Sequence, residues 1–233
     1  MQLLTSQEIQ SFVFNSVILI IFCIFAYLLI HRNKNRISTT IALYFITVSL
    51  GLVVNIIYRA INIEQVNIIL NILTIYLITF AGIHLLNFNN LLFFSTKVHT
   101  KKKVIWLNII YAVALSGLFV IGILFEGVEW INDKPKYSIL FGLYGAVWSQ
   151  IVFAITVYYT FKISKKMGKN IYSRKYLRSI IGILCFDLQL LGGYYANTID
   201  TEIARTIGLI VQLVFILPGA FFIYFGIKKV PES

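Results

Sequence analysis

The chain has 233 residues, 59% of them hydrophobic and only 12% charged, whereas soluble domains run about 45–50% apolar and about 25% charged. A soluble fold cannot hide that much apolar surface, so the solvent is lipid. The net charge of +11 would suit nucleic acid, but the basic residues sit in short loops between apolar runs. That placement excludes a nucleic-acid surface and leaves the bilayer as the principal partner.

Seven apolar stretches lie near the roughly 20 residues a spanning helix needs, at 9–31, 38–59, 65–88, 104–125, 137–161, 177–199 and 203–227. They are unbroken runs and not ten-residue alternating segments, which excludes a β-barrel. Helices then satisfy the backbone within lipid. The expected class is all-α: a polytopic membrane protein, one domain over 1–233, with seven transmembrane helices.

Glu8 precedes the first stretch and Arg32, Lys34 and Arg36 follow it. A cleavable signal has the opposite polarity, so this stretch reads as a spanning helix. It carries Asn15 and Cys23; Cys23 and the later Cys185 read as small buried hydrophobes. Asn55 and Tyr58 end the second stretch. The third bears Asn67, Asn71 and Tyr76 in one half, and His84 and Asn87 in the other. A lone histidine there reads as a hydrogen-bonded core residue, since no second intramembrane histidine can join it to hold haem or metal. Lys97, Lys101, Lys102 and Lys103 form the next loop, and Trp106 begins the fourth stretch. The following loop holds Glu126, Glu129, Trp130 and Asp133, with Tyr137 at its end. Tyr144, Trp148 and Gln150 belong to the fifth stretch. A basic loop follows, from Lys162 to Arg178, with a turn expected at Gly168 and Asn170. Gln212 lies in the seventh stretch, Pro218 with Gly219 should kink it, and Lys228 and Lys229 follow.

Loops one, three and five and the tail thus carry nearly all the lysine and arginine. Glu8, Glu64, Glu126, Glu129, Asp133, Asp200 and Glu202 lie on the other side, with Arg59, Lys134, Lys136 and Arg205. The basic side is cytoplasmic by the positive-inside rule, which puts the N-terminus outside and the C-terminus inside, in the cell membrane. The basic loops at 97–103 and 162–178 are candidate surfaces for anionic lipid heads or a cytoplasmic protein partner.

The sixth stretch carries Asp187 near its middle. A carboxylate in hydrocarbon costs roughly 2.5–3.5 kcal/mol on insertion scales and marks a functional site by default. Helical spacing puts Asp187, Leu191, Tyr194 and Tyr195 on one face, and Gln189 about 200° away at 100° per residue. Gly192 and Gly193 allow a neighbour to pack close. Asp187 is expected to find a partner such as Gln212 or Gln150, or a cationic ligand. With Asp187 as its floor, the outer-half polar groups Asn15, Asn55, Tyr58, Asn67, Asn71, Tyr76, Tyr144, Trp148, Gln150 and Gln212 would line a cavity open to the outside; Asp187, Tyr194, Tyr195, Gln212, Asn71 and Trp148 are the candidate ligand-binding residues. No HExxH, GxSxG, glycine-rich phosphate loop or pair of intramembrane carboxylates occurs, so neither an enzyme nor a cofactor is expected. The end of the second stretch, TVSLGLVVNIIYRAINIE, echoes the end of the sixth, CFDLQLLGGYYANTIDTE. Both run in the same direction, as in three-plus-one-plus-three parallel repeats.

Seven helices with the N-terminus outside are shared with microbial-type rhodopsins, but the seventh stretch has no lysine before Lys228 to hold retinal. The loop KISKKMGKNIYSRKYLR and the ending LPGAFFIYFGIKK, mainly within 160–229, resemble the seven-helix sensor region of prokaryotic and archaeal histidine-kinase-type receptors. Such receptors run on into a cytoplasmic output domain, whereas this sequence ends at Ser233, and no family residue is carried over. The resemblance implies a membrane sensor. The leading expectation is a non-enzymatic seven-helix receptor or sensor that binds a small ligand from outside. The alternatives are a small transporter or channel, or an accessory subunit of a membrane complex.

Overall fold

A computed structural model describes residues 9–32, 35–61, 63–131, 134–168 and 171–227. Glu8, Lys34, Asp133, Lys169, Asn170, Lys228 and Lys229 lie outside them. A π-helical turn at Ile9–Phe14 leads into α1 (Asn15–Arg32), followed by α2 (Arg36–Arg59) and α3 (Glu64–Val98). Next comes α4 (Lys101–Leu115), which runs on through a short turn at Gly117–Phe119 and a π segment at Val120–Leu124. A hairpin of β1 (Val128–Ile131) and β2 (Lys134–Tyr137) precedes α5 (Ile139–Lys166), α6 (Ile171–Ile199) and α7 (Glu202–Ile227). Seven of these spans are long and apolar enough to cross a membrane. The protein is therefore a mainly helical multi-pass membrane protein.

Short polar side chains begin the helices, as free helical N–H groups require. Asn35 Oδ1 accepts from Ser38 N at 2.7 Å, Ser138 Oγ from Phe141 N at 3.2 Å, and Thr201 Oγ1 from Ala204 N at 3.2 Å. Gly168, with φ of 70°, closes the end of α5 in the turn expected there.

Two elements depart from the expected pattern. The third helix does not stop at 88; α3 has 35 residues, about 52 Å at 1.5 Å per residue. Asn87, next to the expected end, and Asn89, just beyond it, are both buried. Neighbouring helices satisfy their amides. Asn87 donates to Asn108 of α4 at 2.7 Å; Asn89 donates to Thr156 O at 2.9 Å and Thr160 Oγ1 at 2.8 Å and accepts from Tyr176. The helical path breaks only at Ser95, with φ of 66°. The second departure is the hairpin, a strand pair in a chain expected to be all helix. Val128 faces Tyr137 and Glu129 faces Lys136. Val128 and Tyr137 are buried, while Glu129 and Lys136 pair at 3.7 Å on the exposed side. Tyr137, expected to open the fifth helix, therefore ends β2.

The helices form a closed ring in the order α1, α2, α3, α5, α6, α7, with α4 outside against α3. One end of the ring carries the hairpin and Arg59, and is called the hairpin end. The other carries Lys101, Lys102, Lys103, Lys162, Lys165 and Lys166, all exposed, and is called the lysine end. Lipid-facing positions are apolar, among them Ile20, Ile110, Val113 and Leu184. Cys23 joins this exposed face, contrary to expectation, whereas Cys185 is buried.

The tightest contact joins α6 and α7, where the small residues are. A Cβ built at Gly182 would lie 2.8 Å from both Gly219 O and Ile223 N, and one at Gly208 would lie 2.8 Å from Gly192 O. Close backbone approach through small residues is how helices associate in lipid, where burial of apolar surface gives no drive. Pro218 lies inside α7, which stays helical from Glu202 to Ile227.

Across the middle of the ring lies an aromatic layer. Phe22, Tyr44, Phe45 and Phe186 are almost wholly buried. Phe22 meets Phe45 at 5.5 Å and Phe186 at 5.8 Å; Tyr44 meets Phe45 at 5.2 Å and Phe186 at 5.4 Å. These edge-to-face contacts tie α1, α2 and α6 together. Phe25 stacks on Tyr224 at 4.3 Å and closes the ring between α1 and α7.

Candidate functional site

Between this layer and the hairpin end lies a cavity of about 130 Å³. Its walls come from α1, α2, α3, α6, α7 and β2. On each helix the lining residues form one stripe at helical spacing: Asn71, Thr74, Ile75 and Ile78 on α3; Gln189, Leu190, Gly193, Ala196 and Asn197 on α6; Arg205, Leu209, Gln212, Leu213 and Ile216 on α7. Asn15 and Ile18 of α1, Leu52, Asn55, Tyr58 and Arg59 of α2, and Pro135 and Tyr137 of β2 complete it.

One wall is a continuous hydrogen-bonded chain. Asn15 Nδ2 donates to Asn55 Oδ1 at 2.9 Å, and Asn55 Nδ2 to Tyr58 OH at 2.9 Å. Asn71 Nδ2 donates to Tyr58 OH at 3.3 Å, and Tyr137 OH to Asn71 Oδ1 at 3.0 Å. The chain binds α1, α2, α3 and the hairpin into one unit. Burial pushes the Tyr137 phenol above its ordinary pKa, so it remains a neutral donor.

Two guanidiniums line the hairpin end of the cavity. Arg59 lies over the rings of Tyr58, at 5.2 Å, and Trp130, at 5.6 Å, a cation–π seat. Arg205 donates from Nε to Asp200 Oδ1 at 2.9 Å, from Nη2 to the same oxygen, and from Nη2 to Pro135 O at 3.5 Å. Its buried Nη1 has no hydrogen-bond partner. Toward the aromatic layer, Gln189 is 9% exposed and its buried Oε1 is also without a partner. Among the described residues, no acid lines the cavity, and no group of His, Cys, Asp or Glu has the makings of a metal site.

The six sequence-derived candidates do not gather here. Asn71 and Gln212 line the cavity. Asp187 is not its floor: it lies on the opposite side of α6, where Gln150 of α5 donates to its Oδ1. The physical reason is the turn of the helix that separates Asp187 from Gln189; the neutral amide took the cavity face and the acid took the helix–helix seam. Tyr194 is buried between helices, its hydroxyl 3.0 Å from Thr79 Oγ1. Tyr195 is 48% exposed and faces away from the bundle. Trp148 packs with Tyr111 at 6.3 Å and Tyr144 at 6.4 Å. Gln189, Asn197, Arg59 and Arg205 line the cavity too and lie outside the six expected ligand contacts. The signal for them was the stripe of Gln189, Gly193 and Asn197 at intervals of four on α6, and the interval of seven between Arg205 and Gln212 on α7.

Asp187→Asn keeps the shape of the side chain and an acceptor for Gln150. It is expected to change unfolding free energy by less than about 1 kcal/mol, the scale of a neutral interhelical bond. A thermal or denaturant unfolding curve in nanodiscs checks this; a loss of several kcal/mol would mark Asp187 as a charge that the fold depends on.

The cavity also carries the echo seen in the sequence. One constant offset relates Leu52 to Leu190, Asn55 to Gly193, Tyr58 to Ala196 and Arg59 to Asn197, and equally Asn71 to Leu209, Thr74 to Gln212, Ile75 to Leu213 and Ile78 to Ile216, all of them lining residues. The ring order agrees, since the α3–α5 contact on one side corresponds to the α7–α1 contact on the other. The pairs α2/α3 and α6/α7 thus face one another across the cavity. Compared with known proteins, the chain matches no family model, no curated sequence and no solved structure.

Proposed function

We propose that this multi-pass membrane protein is a non-enzymatic receptor or sensor that takes a small ligand from outside, in the manner of the histidine-kinase-type sensor regions it resembles. The carrying observation is the cavity between the hairpin end and the aromatic layer of Phe22, Tyr44, Phe45 and Phe186, lined by amides, hydroxyls and two guanidiniums among apolar side chains. Concave sites with a few convergent polar groups are where small ligands bind. The lysine end is cytoplasmic by the positive-inside rule, and its loops at 97–103 and 162–178 pass the signal to a cytoplasmic partner or to lipid heads of a prokaryotic cell membrane. A second reading, transport, is favoured by the paired walls, because parallel-repeat transporters bind substrate between their repeats.

Gly193→Leu tests binding in this cavity, and solute flux separates the two readings. A Cβ at Gly193 would meet only the end of Gln212, with Nε2 at 3.2 Å, so a leucine there fills the cavity without wedging the helices apart. In a thermal-shift screen of small metabolites on protein in nanodiscs, some compounds should stabilise the wild type and not Gly193→Leu. Those compounds should show no saturable flux into liposomes. Saturable flux would establish transport instead, and the absence of any such compound would favour an accessory subunit. Cysteines at Lys136 and Lys102 should be labelled from outside and inside respectively; the reverse would invert the orientation.

A further inference from the structure

We infer that the outer face of α5 binds an acidic phospholipid, its acyl chain along Ile151, Ile155 and Tyr158 and its phosphate at Lys162 and Lys166. This narrows the partner of the lysine end given above to lipid. It stands apart from the cavity, whose own screen decides the ligand reading. The register of the helix comes first. Ile151, Ile155, Tyr158, Lys162 and Lys165 follow at steps of four, three, four and three, which is one stripe of a helix. The first three are 43%, 40% and 51% exposed, and both lysines are exposed as well. One line along the lipid-facing side is thus apolar and then cationic, in the order of a lipid's tail and head. Length puts the change at the matching depth. α5 has 28 residues, about 42 Å at 1.5 Å per residue, against a hydrocarbon core of about 30 Å. Its last turns therefore stand among the headgroups.

The lysines rest on aromatic rings. Lys162 Nζ lies 4.6 Å from the ring centroid of Tyr158 and 6.0 Å from that of Phe93 on α3. Lys166 Nζ lies 3.8 Å from the same Phe93 ring. Phe93 packs in turn on Phe94 at 4.8 Å and on Tyr159 at 5.3 Å. Two ammoniums thus converge on one ring at the seam of α3 and α5, with their stems held by aromatic contact. Like charges are brought together, and no described carboxylate offsets them. Glu64, Glu126, Glu129, Asp200 and Glu202 belong to the hairpin end, and Asp187 to the middle of α6. Both ion pairs among the described residues, Glu129 with Lys136 and Asp200 with Arg205, are also at the hairpin end. An anion at the seam relieves the repulsion, and at this depth the anion at hand is a headgroup phosphate. Lysine meets phosphate as a point charge, so the site selects for net negative charge.

Native mass spectrometry of the protein in detergent tests this, with phosphatidylglycerol and phosphatidylcholine of identical chains as probes. The wild type should hold one phosphatidylglycerol about tenfold or more tightly than phosphatidylcholine, the scale of two lysines beside an acidic lipid. Lys162→Gln combined with Lys166→Gln should erase that preference. Phe93→Leu should reduce it while leaving every charge in place. The combination of Lys101→Gln, Lys102→Gln and Lys103→Gln removes more charge from the same end, and should bind as the wild type does. An unfolding curve shows that each variant is folded. If the double and triple variants lose the preference equally, the attraction is diffuse and the site falls; it falls too if the double variant keeps it. Glycerol 3-phosphate, a head without tails, should not displace the lipid, and displacement at equal concentration would overturn the apolar half of the stripe. Equal binding of the two lipids by the wild type would overturn the inference and leave the lysines to a cytoplasmic protein.

Discussion

Gly182→Leu is expected to cost the bundle about 3 kcal/mol or more, at the top of the range for overpacking. Two of the three nearest atoms in the way are backbone: Gly219 O and Ile223 N lie 2.8 Å from where a Cβ would stand, as does the side-chain Cγ1 of Ile223. A side chain can rotate aside, but a helix backbone moves only as a rigid body, and α7 is held on its far side by the stack of Phe25 on Tyr224. The variant should show a lowered unfolding midpoint in nanodiscs and a poor yield of monodisperse protein. Gly193→Ala, whose Cβ meets only a flexible amide, should behave like the wild type. Equal stability of Gly182→Leu and the wild type would mean that α6 and α7 do not pack as described.

Tyr137→Ala should be nearly as damaging, by about 3–5 kcal/mol on the scale of large aromatic truncations. Tyr137 is 2% exposed, packs on Phe141 at 4.8 Å and ends the hydrogen-bonded chain through Asn71. Its loss leaves a void under the hairpin and a bare acceptor on Asn71. Tyr137→Phe isolates the second effect, and should cost about 1–3 kcal/mol, that of an unsatisfied buried group. Unfolding curves of the two variants separate void from hydrogen bond; indistinguishable curves would show that the ring contributes nothing beyond its hydroxyl.

The spans were legible because lipid imposes a length and a composition that runs such as Ile18–Ile30 satisfy directly. Their ends were less so. Asn87 and Asn89 flank the end expected at 88; only the arrival of Asn108, Thr156, Thr160 and Tyr176 from other helices keeps α3 going. The hairpin escaped because its signal is an alternation of a few residues, Val128 to Tyr137, which a search for long apolar runs passes over. Asp187 illustrates the limit for the site. Its cost in lipid was readable, and so was Gln150 as a partner, since both are intramembrane polar groups. Which side of α6 faces the cavity depends on the rotation of the helix against α7, and that is set by Gly182, Gly192 and Gly208, which carry no charge to draw the eye. The more conspicuous residue was therefore not the one at the cavity.

The origin of the cavity walls has a consequence for how the protein is made. The first half of the lining is complete with α3; Pro135 and Tyr137 of β2 follow, and the rest comes from Gln189 onward, with Arg205, Gln212 and Ile216 on the last helix. A nascent chain that has inserted five helices holds one wall of a vessel whose other wall has not yet left the ribosome. A ligand of this cavity would not stabilise such an intermediate, because it would meet its full lining only in the finished ring, and mass action would then favour that ring alone. Supplied during synthesis, the ligand would raise the yield of completed protein without rescuing chains truncated before α7.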